Sequence, residues 1–146
     1  MKKTFRAVLL LAAVALASNL FFGASHAIAE EASAGGIVTA YYFHGTFRCP
    51  TCKKLEQYAK EVIESDFKDA LASGKLSFKV VNVESKGNEH YAKDYQLYTK
   101  SVVLSLSKDG KEIRSKNLDK IWQLVGNKEQ YENYVRDEVA AFLKEA

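Results

Sequence analysis

Cysteine and proline are scarce in this chain, which has two cysteines, Cys49 and Cys52, and one proline, Pro50, among its 146 residues. A disulfide across two intervening residues would close a very small loop and would remove little entropy from the unfolded chain. A domain of this length can also bury a core without a crosslink. A purely structural disulfide is therefore an alternative, and not the first interpretation, for these cysteines.

An excess of charge of either sign is also missing. The chain has 21 Lys and Arg residues against 18 Asp and Glu residues, and Lys2, Lys3 and Arg6 precede every acidic residue. The part of the chain after residue 29 is therefore neutral, with 18 charges of each sign. We expect no nucleic-acid partner, because nucleic-acid-binding domains carry a basic patch. The sequence also lacks a glycine-rich dinucleotide-binding motif, and we expect no nucleotide cofactor.

The N-terminus has the pattern of a secretory signal peptide. An apolar segment at 7–17 follows the three cations, and Ala27 and Ala29 occupy the two positions that a signal peptidase reads. We predict that residues 1–29 are a cleaved leader and that the protein is exported. Because the apolar stretch continues as far as Gly23, an uncleaved leader that anchors the protein in a membrane is the alternative.

After the leader, a short spacer is predicted at 30–36 and a single domain at 37–146. Runs of β-branched and aromatic residues predict strands, and apolar residues at helical spacing predict helices. The predicted order is β-α-β-α-β-β-α, with strands at 37–43, 76–83, 102–106 and 112–115, and helices from Pro50 to Gly74, after Asn88 and at 128–144.

This order predicts an α/β fold. Strands that are separated by helices become parallel neighbours through right-handed crossovers, and Asp109-Gly110 between two strand-like runs predicts an antiparallel hairpin. We therefore expect a mixed four-stranded sheet with helices on both faces. The short helix after Asn88 is predicted to turn four residues inward, namely Tyr91, Ala92, Tyr95 and Tyr98.

The motif Cys49-Pro50-Thr51-Cys52 stands between the first strand and the first helix. A helix N-terminus stabilises a thiolate, and Arg48 adds a cation beside Cys49. Cys52 lies one turn deeper and is expected to be shielded. Pro50 suits the first helical position, where its missing N–H costs nothing. The sequence therefore predicts a dithiol at the carboxyl end of the first strand, poised for reversible disulfide chemistry.

The element order and the Cys49–Cys52 motif resemble the thioredoxin-like fold over about residues 35–145. The resemblance implies that Cys49 is the attacking nucleophile and Cys52 the resolving thiol. It also implies that the redox-active disulfide replaces a cofactor, and that the partner is a protein thiol or disulfide.

Three positions depart from that family. Thioredoxins carry a buried acid where this chain has Phe43, and usually a tryptophan where it has Arg48. They place a cis-proline opposite the dithiol, and alignment on the hairpin glycine puts Val102 there. We expect trans peptide bonds in the loop 99–102, because a cis bond without proline is costly. Val102 is thus predicted to line a thiol face that is more open to a metal ion.

A narrower resemblance covers residues 41–56, from Tyr41 to Glu56. This segment, together with the leader, is similar to a family of bacterial secreted proteins known as the nitrophenyl compound nitroreductase subunit. The resemblance implies export to the periplasm or cell envelope of a bacterium. It also implies that the dithiol passes two electrons to another protein that reduces the nitro group.

The sequence thus predicts an exported thiol–disulfide oxidoreductase that acts on a protein partner in the cell envelope. The main alternative is a thiolate metal-binding module of the Cu(I) type, in which His44 joins Cys49 and Cys52, because soft thiolate ligands select such ions. A partner-binding subunit with an idle dithiol is the third interpretation.

Overall fold

The computed structural model describes residues 35–146. The predicted leader and residues 30–34 of the spacer lie outside this part of the chain. No helix within residues 35–146 is long and apolar enough to cross a membrane. The elements are β1 (Ile37–His44), α1 (Pro50–Asp66), α2 (Lys68–Ala72), β2 (Leu76–Asn82), α3 (His90–Asp94), β3 (Ser101–Lys108), β4 (Lys111–Asn117), α4 (Ile121–Leu124) and α5 (Lys128–Glu145).

The four strands form one mixed sheet in the order β2-β1-β3-β4. Strands β1 and β2 are parallel, whereas β1 with β3 and β3 with β4 are antiparallel. The register places Tyr42 of β1 between Val80 of β2 and Val102 of β3. This arrangement confirms the predicted thioredoxin-like α/β fold, and it places β1 inside the sheet, with a neighbour on each side.

The main core lies between one face of the sheet and helices α1 and α5. Alternate residues of β1 point into it, because side chains alternate between the two faces of a strand. Strand β3 is buried from Ser101 to Leu106, as expected for a strand that is covered on both faces. The buried residues of this core include Val38, Ala40, Tyr42, Leu55, Ala59, Ile63, Val102, Leu104, Tyr131, Val135, Val139 and Phe142.

The opposite face of the sheet carries an aromatic cluster under α3. The ring of Tyr91 lies 5.1 Å from that of Phe43, and the ring of Tyr95 lies 6.2 Å from that of Tyr41. Helices therefore cover both faces, as predicted. The prediction that Tyr98 also points inward is wrong, because this side chain is 95% exposed. Helix α3 ends at Asp94, and Gln96 has a φ of 51°, so the helical spacing does not reach Tyr98.

The helices differ from prediction in two places. The long helix expected from Pro50 to Gly74 is interrupted at Phe67, whose φ and ψ of −121° and 32° are not helical. Its apolar face nevertheless continues through α2, where Leu71 packs against the core. The four-residue helix α4, which buries Ile121, was not predicted. A segment of one turn is too short to show helical periodicity in the sequence.

The predicted hairpin between β3 and β4 is present. Asp109 and Gly110 have φ values of 52° and 74°, which is the pattern of a two-residue turn that matches the twist of the paired strands. A residue with a side chain strains this backbone conformation, and glycine does not.

We expect Gly110→Ala to lower the free energy of unfolding by about 1–2 kcal/mol, the cost of a left-handed conformation for a residue with a side chain. Gly126→Ala is the matched control: an added Cβ meets no atom within 4 Å at either position, but only Gly110 has a positive φ. Urea unfolding followed by circular dichroism measures both. Equal stability of the two variants would contradict this account of the turn.

Candidate functional site

The cysteine pair lies at the end of the loop that connects β1 to α1 and in the first turn of α1. After β1 ends at His44, Cys49 caps the N-terminus of α1 with an extended backbone, φ −71° and ψ 163°. Cys49 and Cys52 are joined by a disulfide with a Cα–Cα distance of 5.0 Å. The Cys52 N–H donates to Cys49 Sγ at 3.1 Å. Pro50 is the first residue of the helix, as predicted, so the ring costs no hydrogen bond.

The two sulfurs differ in how much solvent reaches them. Cys52, in the first turn of α1, is 2% exposed, whereas Cys49 is half-buried and its neighbours Pro50 and Thr51 are exposed. An incoming disulfide can therefore approach Cys49, and Cys52 is within reach only of Cys49. This asymmetry fits the order in which Cys49 attacks and Cys52 resolves.

Arg48 is placed beside Cys49, as the sequence requires, but its charge is shared. Its guanidinium forms an ion pair with the carboxylate of Glu56, and the two side chains are 30% and 21% exposed. The sequence predicts a free cation at Arg48 and does not indicate that Glu56 is its partner. A possible signal was the spacing of Glu56, which is four residues after Cys52 and therefore on the same side of α1. The partnered arginine adds less positive potential at Cys49 than an unpaired one.

Two tyrosine hydroxyls hold the backbone of α1 from below. The Tyr42 hydroxyl of β1 donates to the Cys52 carbonyl at 2.6 Å, and the Tyr131 hydroxyl of α5 donates to the Leu55 carbonyl at 2.7 Å. Both tyrosines have no exposed surface, and a buried hydroxyl without an acceptor is costly. Burial raises the pKa of Tyr42 to about 12, against a smaller opposing effect of Arg48. Burial likewise raises the pKa of Tyr131, and Tyr42 raises it further.

The sequence does not indicate either hydroxyl bond, because both tyrosines fit the apolar pattern of a strand or a helix. The available signal was the choice of tyrosine where phenylalanine would fill a core position without needing a hydrogen-bond acceptor. That signal shows that an acceptor is needed, but the acceptor itself is known only from the structure.

The side chain of His44 bonds the backbone of the next residue. Its Nδ1 donates to the carbonyl of Gly45 at 2.8 Å, and its ring centroid lies 6.1 Å from that of Tyr42. Within the described part of the chain, no three His, Cys, Asp or Glu side chains are grouped so that they could hold a metal ion. The alternative site of His44 with Cys49 and Cys52 is therefore not formed here, because the sulfurs bind each other and His44 is not grouped with them.

Val102, the residue expected to line the thiol face, is fully buried and belongs to the core. It offers no surface beside the dithiol, because its side chain points from β3 into the core shared with Tyr42. The loop before it has trans peptide bonds, as do all described residues from 35 to 146. Trp122 supports this loop by donating its indole N–H to the Lys100 carbonyl at 2.9 Å.

Comparison with known proteins gives structural likeness only. No protein-family model and no curated protein matches this chain. It is similar to the solved thioredoxin of Fasciola hepatica, with 21% identity over 64% of this chain and 82% of that one and a TM-score of 0.39. It is also similar to thioredoxin of Trypanosoma brucei brucei, with 17% identity over 73% and 79% and a TM-score of 0.41. These values are too low to bear on activity, and the fold assignment depends on the strand order and pairing described above.

The Arg48–Glu56 pair predicts opposite effects of two charge changes on the reduced protein. Glu56→Gln should free the arginine charge and lower the pKa of Cys49, and Arg48→Gln should raise it. The rate of alkylation at a pH below that pKa should then change by up to about fivefold in each direction, since a partly exposed charge pair is worth about 0.2–1 kcal/mol.

Glu61→Gln is the control, because Glu61 pairs with Lys128 two turns from the cysteines and should leave the alkylation rate unchanged. The rate of iodoacetamide alkylation against pH measures all three variants. Identical curves for Arg48→Gln and the unaltered protein would mean that the helix N-terminus alone activates Cys49.

Proposed function

We propose that this protein is a thiol–disulfide oxidoreductase with Cys49 and Cys52 as its redox centre. One observation carries the proposal: a half-buried sulfur at a helix N-terminus is bonded to a buried sulfur one turn deeper. A helix N-terminus lowers the pKa of a thiol and so supplies the thiolate that disulfide exchange requires.

The reaction proceeds in two exchange steps. The Cys49 thiolate attacks one sulfur of a partner disulfide, the partner's S–S bond breaks, and the other partner sulfur leaves as a thiolate. The Cys52 thiol then loses its proton and attacks the Cys49 sulfur, which releases the second partner thiolate. Two electrons have passed to the partner, and the protein holds the Cys49–Cys52 disulfide. In the reverse direction the disulfide oxidises a partner dithiol by the same two exchanges.

The partner is a protein in the cell envelope. The leader pattern at 1–29 supports export, and disulfide chemistry persists in the oxidising compartments outside the cytosol. Phe47, two residues before Cys49, is 77% exposed and offers apolar surface to a protein that docks at the dithiol. The resemblance of residues 41–56 to a secreted nitroreductase subunit supports a finer assignment, in which the dithiol gives two electrons to a separate protein that reduces nitro groups.

Removing the resolving thiol should trap the partner. In Cys52→Ser, Cys49 can attack a partner disulfide but nothing can release it, so mixed disulfides should accumulate and appear on non-reducing gels of cell-envelope extracts. Cys49→Ser is the matched variant and should trap none, because its remaining sulfur is buried. Equal trapping by both variants would show that Cys49 is not the attacking residue and Cys52 is not the resolving one.

Export predicts a defined mature terminus. Protein recovered from the envelope of an expressing bacterium should begin at Glu30, which intact-mass measurement can establish. Ala29→Arg should block the cut, because a signal peptidase accepts only small residues there, and the protein should then stay in the membrane fraction with its leader. An intact leader on the unaltered protein would favour the anchored form instead.

A further inference from the structure

The geometry points to Tyr42 as a positioning residue that sets the reduction potential of the dithiol, through its hydroxyl bond to the Cys52 carbonyl. This inference rests on the proposed function and concerns the same site. No titration is involved: the hydroxyl acts as a fixed donor to the turn that carries both cysteines.

The hydroxyl is held in place by the sheet. Tyr42 has no exposed surface, and strand pairing places it between Val80 and Val102 on the two neighbouring strands. A tyrosine has only two side-chain torsions, and a close-packed core leaves it little room to move. Because burial raises the pKa of Tyr42 to about 12, the hydroxyl keeps its proton and remains a donor at ordinary pH.

The acceptor of this bond belongs to the turn that presents the sulfurs. The Cys52 carbonyl shares a peptide unit with the Lys53 N–H, which donates to the Cys49 carbonyl at 3.1 Å. The Cys52 N–H donates to Cys49 Sγ at the same distance, 3.1 Å. A hydroxyl bonded to the Cys52 carbonyl polarises that peptide unit, and linked hydrogen bonds strengthen one another. The Tyr42 bond therefore strengthens the bond from the Lys53 N–H to the Cys49 carbonyl. That bond helps to hold the turn in which the Cys52 N–H points at the Cys49 sulfur.

This bond should favour the reduced form. The positive end of the O–H dipole offsets the negative Cys52 carbonyl oxygen, and an aimed N–H is worth more to a thiolate than to a disulfide sulfur, because hydrogen bonds to charged groups are the stronger ones. Whatever stabilises the reduced form raises the reduction potential and makes the protein a better oxidant. The first turn of α1 has no acidic residue that would oppose this effect.

The chain contains its own control for such a bond. Tyr131 is also fully buried and donates to a carbonyl of the same helix, that of Leu55 at 2.7 Å. Leu55 lies about one turn beyond Cys52, away from the turn that carries the sulfurs. A hydroxyl that serves only to anchor α1 in the core should have the same effect at either position, whereas a hydroxyl that tunes the dithiol should act from Tyr42 alone.

The test compares Tyr42→Phe with Tyr131→Phe. Each purified variant is equilibrated with mixtures of reduced and oxidised glutathione, and the dithiol fraction is read by thiol trapping and mass spectrometry. We expect Tyr42→Phe to move the equilibrium about fivefold toward the disulfide, a potential lower by about 20 mV at 29.6 mV per tenfold. The Cys49 pKa should rise in the same variant, and Tyr131→Phe should change neither quantity.

An unchanged potential in Tyr42→Phe, or an equal shift in Tyr131→Phe, overturns the inference. Denaturant unfolding of the oxidised and reduced forms provides a second measurement, because the two forms and their unfolded states make a closed cycle. Tyr42→Phe should lose more stability in the reduced form than in the oxidised form, and Tyr131→Phe should lose the same amount in both.

The two levels of the proposal fail in different ways. If the unaltered protein does not exchange with glutathione and does not turn over a small disulfide substrate, the oxidoreductase function is wrong. If it does both, but the Tyr42→Phe potential equals its own, the function stands and the role of Tyr42 is wrong.

Discussion

The placement of β1 inside the sheet is the constraint on which the rest of the structure depends. Parallel pairing with β2 on one edge and antiparallel pairing with β3 on the other satisfies its backbone hydrogen bonds on both sides. Because β1 is held on both sides, the position of its carboxyl end is fixed, and so is the point at which α1 begins. The position of the dithiol follows from this, because open α/β sheets place their sites at the carboxyl ends of strands.

The N-terminus of helix α1 provides backbone hydrogen-bond donors beside the Cys49 sulfur. Its N-terminal N–H groups have no partners within the helix, and Cys49 occupies the capping position where its sulfur accepts one of them. The arginine beside it is neutralised in part by Glu56. The N-terminal N–H groups of the helix therefore supply positive potential at Cys49 that does not depend on Arg48. The charge of Arg48 is offset by Glu56, whereas the N–H groups of a packed helix keep their direction.

The tyrosine hydroxyls on the two faces of the sheet donate to different kinds of acceptor. On the α1 and α5 face, the hydroxyls of Tyr42 and Tyr131 donate to helix carbonyls, since a carbonyl has a second lone pair available. On the α3 face, the Tyr95 hydroxyl donates to the carboxylate of Glu112 at 2.6 Å, and Ser105 donates to the same carboxylate. Burial raises the pKa of Tyr95, and its bond to Glu112 adds to that effect.

The sequence alone determined the class of fold and the place of the cysteine pair between the first strand and the first helix. Strand and helix periodicity, the Asp109-Gly110 turn and the Cys49–Cys52 spacing are local properties, and local properties can be seen in a single chain. The break at Phe67, the exposure of Tyr98 and the partners of Arg48, Tyr42 and His44 were decided by the tertiary structure. Each depends on a single backbone torsion or on which atoms the folded chain brings together, and a residue pattern specifies neither. The core position of Val102 belongs to the same group, because strand pairing, and not the family position, determines which face its side chain occupies.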